Sequence, residues 1–563
     1  MNKILKYIAF PSLIMGLLMS CHSLDVQVTS ELTPDVYPQT TAQFNSVTGP
    51  VYTTLRNSYS VDVFFLQTLS SDEAILAAFG GNWYDGDKYE QLHKHSWTKD
   101  NAWAGTVWGY CSDIIGTTNQ TISILRTAPE SAAKKISLSE LKVVRSLAYF
   151  WMMDLYGNVP IDTLYGNTVL QTNTPRSQVF SFIENELKSA IPYLNRASGQ
   201  AGYGKPNTYT AYALLAKMYL NAEVYTGTQR YNDCVIACDS VMNAGGGSQY
   251  AFEPRASYLK MFYPTNGPAM KEFIFAIPYD ATTSYGNMYH ARYDLNRNLG
   301  IKYSYAGSTS GSIKDPVMNQ SYPNSGLINA KPSGAESVLP EYYANFNDPN
   351  DIRNDQWLTG LQTWPDGTPL MVKTTNQGYD AGYSGSAPTA TYIYQLNLTP
   401  GVQYRTGVSG VNPALFDLGN DEIAWNMGYR NIKFYPDYTN TISRNQNNDV
   451  PILRYSDIVL MKAEAIQRGG TATNGQTALS LVNSLRAVRT TSPAVTAVTL
   501  DFIYAERARE FAWEAWRRND MIRFGKYEGS YGFKTDANTY KRIFPIPTSA
   551  LSVNNKLVQN PGY

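Results

Sequence analysis

Apolar residues recur every three or four positions through the first half of the chain. Trp103, Val107, Tyr110 and Ile114 form one such stripe. Leu141, Val144, Leu147, Ala148, Trp151 and Leu155 form a second. Phe180, Ile183, Leu187 and Ile191, then Ala211, Leu214, Leu215, Met218 and Tyr219, form two more. That period predicts amphipathic helices across about 100–260. Gly157, Pro160, Pro192, Gly199, Gly204 and Pro206 punctuate them. Over 262–450 the texture changes to Gly, Asn, Ser, Thr, Tyr and Pro, with short strand-like runs such as 273–277. Helix is predicted again over 452–467, 475–488 and 500–524, and a β-like tail over 542–547. Successive helices of this length suggest helical hairpins, although no strict repeat period is present. The middle block carries Trp357, Trp364 and Trp425, too many aromatics for a disordered linker. It reads as a loop-rich subdomain packed on the helices.

The N-terminus carries Lys3 and Lys6, an apolar run over 7–19, and the tetrapeptide Leu18-Met19-Ser20-Cys21. The run is short for a membrane span and reads as a signal peptide over 1–20. A small residue directly before Cys resembles the bacterial lipobox, which would make Cys21 the lipidated first residue of the mature chain. Cleavage elsewhere, or an uncleaved anchor, is the plainer alternative. Lys plus Arg and Asp plus Glu both number 46, so net charge is zero and nothing points to nucleic acid or an acidic membrane surface. No second apolar stretch approaches spanning length. Cys111, Cys234 and Cys238 do not make a disulfide framework, and the last two fall on one helix face. Tyr is unusual at 43 against 20 Phe. That excess suits interfaces and sugar platforms, and equally the wet loops of an exported protein.

From Glu506 to Phe524 both charge signs are dense, with Glu506–Arg509 and Glu514–Arg518 at helical neighbour spacing. Each acid has an Arg nearby, which favours an internal ion-pair lattice over acid–base chemistry. This segment resembles the C-terminal signature of the SusD/RagB family. Val144-Arg145-Ser146-Leu147-Ala148-Tyr149-Phe150 running to Tyr156-Gly157-Asn158-Val159-Pro160 resembles another family motif. So do Ala213-Leu214-Leu215-Ala216-Lys217-Met218-Tyr219, Pro451-Ile452-Leu453-Arg454-Tyr455 with Leu460-Met461-Lys462-Ala463-Glu464-Ala465, Pro545-Ile546-Pro547, and Gln559-Asn560-Pro561-Gly562-Tyr563. The resemblance covers most of the chain, in the family's order. It implies a mainly α fold: four tetratricopeptide-like helix pairs, over about 40–260 and 450–530, supporting an irregular ligand-facing subdomain over 262–450, all in one SusD-like domain spanning 21–563. It also implies a non-enzymatic, lipid-anchored protein on the outer face of the outer membrane. Such a protein captures oligosaccharide and passes it to a SusC-like TonB-dependent transporter. Arg145, Arg454, Glu464 and Glu510 are then scaffold.

The ligand site is expected in the loop after Ser71-Asp72-Glu73-Ala74, a step that resembles the one preceding an aromatic loop in the family's starch binder. Here that loop reads Phe79-Gly80-Gly81-Asn82-Trp83-Tyr84-Asp85-Gly86-Asp87. A sugar offers an apolar C–H face and a rim of hydroxyls. Trp83 supplies a platform with Tyr84 beside it, while Asp72, Asn82, Asp85 and Asp87 supply hydrogen-bond partners. The alternative is a Trp that covers a helix end. Tyr289, His290, Arg292, Tyr293, Asn296 and Trp364 are secondary candidates. Trp357 follows Asp351-Ile352-Arg353, which resembles a structural turn in the family. His93 and His95 suit one face of a strand but have no third metal ligand beside them. No cofactor is expected, although the oxygen-rich run from Asn345 to Asp351 could hold a structural Ca²⁺ and otherwise reads as a solvated turn. No nucleophile elbow, phosphate loop or dinucleotide fingerprint appears. Two other functions fit less well: a peptide-capturing relative, and a glycoside hydrolase using Asp85 and Asp366.

Overall fold

The computed structural model describes residues 37–242, 249–283, 292–303, 334–374, 392–437 and 445–563. Helices of seven residues or more are α1 (Thr41–Asn57), α2 (Lys88–Lys94), α3 (Ala102–Thr127), α4 (Ala132–Tyr156), α5 (Arg176–Ala190), α6 (Thr208–Leu220), α7 (Tyr231–Met242), α8 (Tyr455–Gln467), α9 (Ala478–Arg486), α10 (Leu500–Phe511) and α11 (Arg517–Arg523). The fold is mainly α, and helices adjacent along the chain pack on one another: α3 on α4, α4 on α5, α6 on α7, α8 on α9. Helix starts are set locally. Thr40 and Gln43 form a capping box on α1, and the Asn101 side chain accepts the Trp103 and Ala104 N–H groups at the head of α3. The apolar stripes read from the sequence face inward, with Val107, Ile114, Val144, Ile183, Leu187 and Met218 fully buried. Cys234 and Cys238 pack side by side in the core as free thiols. Among the described residues no helix is long and apolar enough to cross a membrane.

Strands are short and come in pairs. Ala74–Leu76 (β1) pairs antiparallel with Glu336–Val338 (β3), and Phe273–Ile277 (β2) pairs with Val450–Arg454 (β6). Met371–Thr374 (β4) pairs with Tyr392–Gln395 (β5). The helix expected from position 452 therefore starts at Tyr455, because the preceding residues are in a strand. His93 lies on α2 and His95 is its left-handed C-terminal residue, so the strand reading of this pair is corrected. The tail over 542–547 follows a short 3₁₀ turn and forms no strand.

The helix expected over 500–524 breaks between Phe511 and Arg517. Trp513 and Ala515 take left-handed φ angles of 58° and 61°. Two distant side chains cause the break. Lys433 Nζ donates to the carbonyls of Glu510 and Ala512, at 3.1 and 2.8 Å, which removes acceptors from the helix end. The Trp513 N–H is drawn away to Glu73 Oε1 at 2.8 Å. Glu514 consequently pairs with Lys433 and Arg454, not with the expected Arg518.

A buried charge lattice crosses this junction. Glu510 meets Arg353 at 3.2 Å, Arg454 at 3.0 Å and Arg489 at 3.1 Å. Glu272 bridges Arg454 and Arg489, and Glu506 bridges Arg353 and Arg509. Burial alone would raise the Glu510 carboxyl, but the three guanidiniums prevail and hold it far below the ordinary range. Glu510→Ala is expected to cost on the order of 2–4 kcal/mol, because it removes from three buried arginines the carboxylate they share. Urea unfolding of the variant beside the parent measures it. A ligand-binding constant that is unchanged in the folded fraction would keep Glu510 out of the site.

Candidate functional site

The loop from Phe79 to Asp87 is pinned at both sides. Gly80 and Gly81 N–H groups donate to the two oxygens of Asp417, at 2.8 and 2.6 Å, and Ala78 bridges the same strand residue. Phe79 and Asn82 close a tight turn. A Cβ at Gly80 would come within 2.5 Å of Asn420 Cβ, so only glycine fits there. Beyond the turn, Trp83, Asp85 and Asp87 hold left-handed φ angles of 67°, 47° and 62°. Three non-glycine residues in that region within five positions store strain, as binding loops often do.

The strained loop forms one wall of an open cleft of about 520 Å³, lined by Gly81, Asn82, Trp83, Asp85, Arg292, Arg297 and Trp425. Trp83 is half-buried, meeting Tyr293 edge to face at 5.4 Å and Tyr89 at 6.3 Å. Trp425 stacks on Phe79 at 4.7 Å with its plane tilted by 23°. Its indole N–H donates to Asn420, and its carbonyl is held by Asn296 and Arg430. Both indoles are thus fixed before any ligand arrives. Polar groups stand around them. Asp85 pairs with Lys88 at 3.2 Å and accepts from Tyr89 Oη at 3.3 Å. Arg297 lies 4.5 Å from the Trp425 ring and pairs with Glu422 at 3.1 Å. Burial lowers the Arg297 guanidinium somewhat against the pull of Glu422. Burial, then the nearby Asp85 charge, raises the Tyr89 phenol far above its usual range, so it stays a donor.

Of the residues expected at the site, Asn82, Trp83, Asp85 and Arg292 come together on the cleft, with Tyr293 behind Trp83. Tyr84 and Asp87 sit in the loop but do not line it. Asp72 is corrected: both its oxygens are held by Arg517, at 2.6 and 2.7 Å, so its charge serves the scaffold. Trp364 packs half-buried on a separate apolar cluster around Leu295 and Leu370. Tyr289, His290 and Cys21 lie outside the described residues. Sequence reasoning missed Trp425 and Arg297. Asp421 capping the short helix Glu422–Trp425 was the one local sign that this Trp is rigidly held.

No group of three metal-ligating side chains exists among the described residues. In the run considered for Ca²⁺, Asp348 accepts from Thr490, Ser492 and the Asn350 N–H, and Asp351 is taken by Arg353. A larger cleft, of about 760 Å³, opens beside α3 and α4 near Tyr149, Asp162 and Tyr165. Several of its polar groups are spent on each other: Asn119 and Tyr149 donate to the Asp162 carbonyl, Asn167 to its carboxylate, and Gln120 to Tyr165. Size therefore does not make it the better site.

The family model described as "SusD family" matches residues 271–563, more than half of the chain. The chain belongs to the SusD family. A second model, "Starch-binding associating with outer membrane", matches 24–220. This SusD-family chain is 24% identical over 537 residues to the starch-binding protein SusD of Bacteroides thetaiotaomicron, covering 89% of this chain and 85% of that one. It is 22% identical to the SusD-like protein P38 of Formosa agariphila over 98% of its own length and 97% of the relative's. Among solved structures, a laminarin-binding SusD-like protein superposes with a TM-score of 0.64 at 21% identity, over 93% of this chain and 99% of that chain. Surface glycan-binding protein A from Bacteroides thetaiotaomicron, solved with laminarihexaose, gives a TM-score of 0.64 at 18% identity, over 92% and 99%. At such identities these structures share the fold.

Burial pushes the Glu73 carboxyl, just upstream of the site, up to about 8 from an ordinary 4.5, so the folded chain keeps a proton there that the unfolded chain releases. The contribution of Glu73 to stability should therefore fall as pH rises from 4.5 to 8. Chemical unfolding between pH 5 and 9 is expected to show a steeper alkaline loss for the parent than for Glu73→Gln. Parallel curves would mean that Glu73 is ionised throughout.

Proposed function

We propose that this protein is a non-enzymatic, cell-surface glycan-binding lipoprotein of the outer membrane. It captures oligosaccharides in the Trp83 cleft and passes them to a SusC-like TonB-dependent transporter. The observation that carries this reading is a half-buried indole, Trp83, walling one cleft over the buried Trp425, with Asn82, Asp85, Arg292 and Arg297 at its edge. Ring faces meet the C–H faces of sugars while amide, carboxylate and guanidinium groups meet hydroxyls. The printed descriptions of the relatives, starch-binding, laminarin-binding and glycan-binding, support the same ligand class. Hydrolysis needs a pair of carboxyl groups across the scissile bond. Asp85 is the only carboxylate among the described lining residues, and Asp366 instead accepts from Thr368 in its own exposed turn.

Trp83→Ala is expected to weaken binding of a recognised glycan at least about tenfold, roughly 1.4 kcal/mol, while the melt stays cooperative and shifts by only a few degrees. Calorimetric titration beside a thermal melt checks it, and full affinity with a collapsed melt would return Trp83 to the core. Cys21→Ala should abolish labelled-palmitate incorporation, and retained label would overturn the lipid anchor.

A further inference from the structure

Among the described residues, each charged group around the cleft has a partner of opposite charge except one. Asp85 has Lys88, and Arg297 has Glu422. Arg292 has no carboxylate and no carbonyl within hydrogen-bond reach among the described residues, and its Nε is buried without an acceptor. What it does have is aromatic: it hydrogen-bonds the Tyr293 side chain, and its guanidinium carbon lies 5.5 Å from the ring centres of both Trp83 and Tyr293. A phenol and two rings stabilise a cation but supply no counter-charge and leave further N–H donors to fill.

Among the described residues every buried guanidinium has a carboxylate or carbonyl partner, although several leave one nitrogen without an acceptor. Arg353, Arg454, Arg507, Arg517 and Arg523 each hold carboxylates. Arg430 and Arg518, which have none, donate to backbone carbonyls. Arg292 alone among these carries its open donors into a cleft, next to an exposed loop. A neutral hydroxyl could fill one donor and leave the charge uncompensated. An oxyanion fills two in parallel and compensates the charge, which is the stronger arrangement.

We propose that the glycan bound in this cleft is anionic, and that Arg292 receives its carboxylate or sulfate while Trp83 stacks on the sugar that bears it. This rests on the glycan reading above and names the ligand class within it.

The test uses polymer pairs that differ in charge at constant backbone. Polygalacturonate against its methyl ester tests carboxylate, and κ-carrageenan against desulfated κ-carrageenan tests sulfate, with starch and laminarin as further neutral probes. The full-length protein should bind the charged member of one pair at least about tenfold more tightly than its neutral partner, and raised NaCl should erode that margin. Arg292→Gln should remove the margin, and Arg292→Lys should restore part of it. The pair that responds distinguishes carboxylate from sulfate. Equal affinity for charged and neutral members, binding of starch or laminarin alone, or an Arg292→Gln protein that keeps the margin, overturns the anionic assignment and leaves the glycan reading standing. Binding of none of the six polymers by a protein with a normal melt overturns both.

Discussion

Three remote segments meet on one carboxylate. Glu510 holds Arg353 from the irregular block, Arg454 from the end of β6 and Arg489 from beyond α9, and Glu272 ties two of the same arginines to the start of β2. Charges this deeply buried are expensive unless every one is paired. The cost makes the lattice specific, because another docking of the loops would leave a bare charge in the core. Lys433 completes the arrangement by taking the carbonyls at the end of α10, which turns the chain so that Trp513 can reach Glu73. β1 follows Glu73 and the Phe79–Asp87 loop follows β1, so the position of the cleft is set from the lattice outward.

The cleft itself is built by rigidity. Gly80 and Gly81 are fastened to Asp417, Phe79 lies against Trp425, and Arg430 and Asn296 clamp the Trp425 carbonyl. A fixed aromatic wall has little conformational entropy left to lose, which suits a shallow, open cleft to binding. Left-handed Trp83 and Asp85 show that the fastening is strong enough to hold strained backbone.

Much of the scaffold was legible because helical periodicity and family motifs are local. Val107, Val144, Leu187 and Met218 are buried as their spacing requires. The break at 512–516 was not legible, since its causes, Lys433 and Glu73, are remote in sequence and leave no local mark. Asp72 looked like a ligand group for the same reason: its partner Arg517 is 445 residues away. The Trp83 loop could be found from its glycines and polar flanks. Trp425 could not, because its role comes from Phe79 beneath it.

The Asp72–Arg517 pair and the Trp513–Glu73 bond, spanning 445 and 440 residues, join early and late parts of the described chain just before the Phe79–Asp87 loop. Contacts of that reach form only after a large closure entropy has been met. An emerging chain therefore carries the whole Phe79–Asp87 loop long before it carries the residues that seat it. The cleft becomes a late product of maturation, and a protein clipped near its C-terminus would lose order at its N-terminal end.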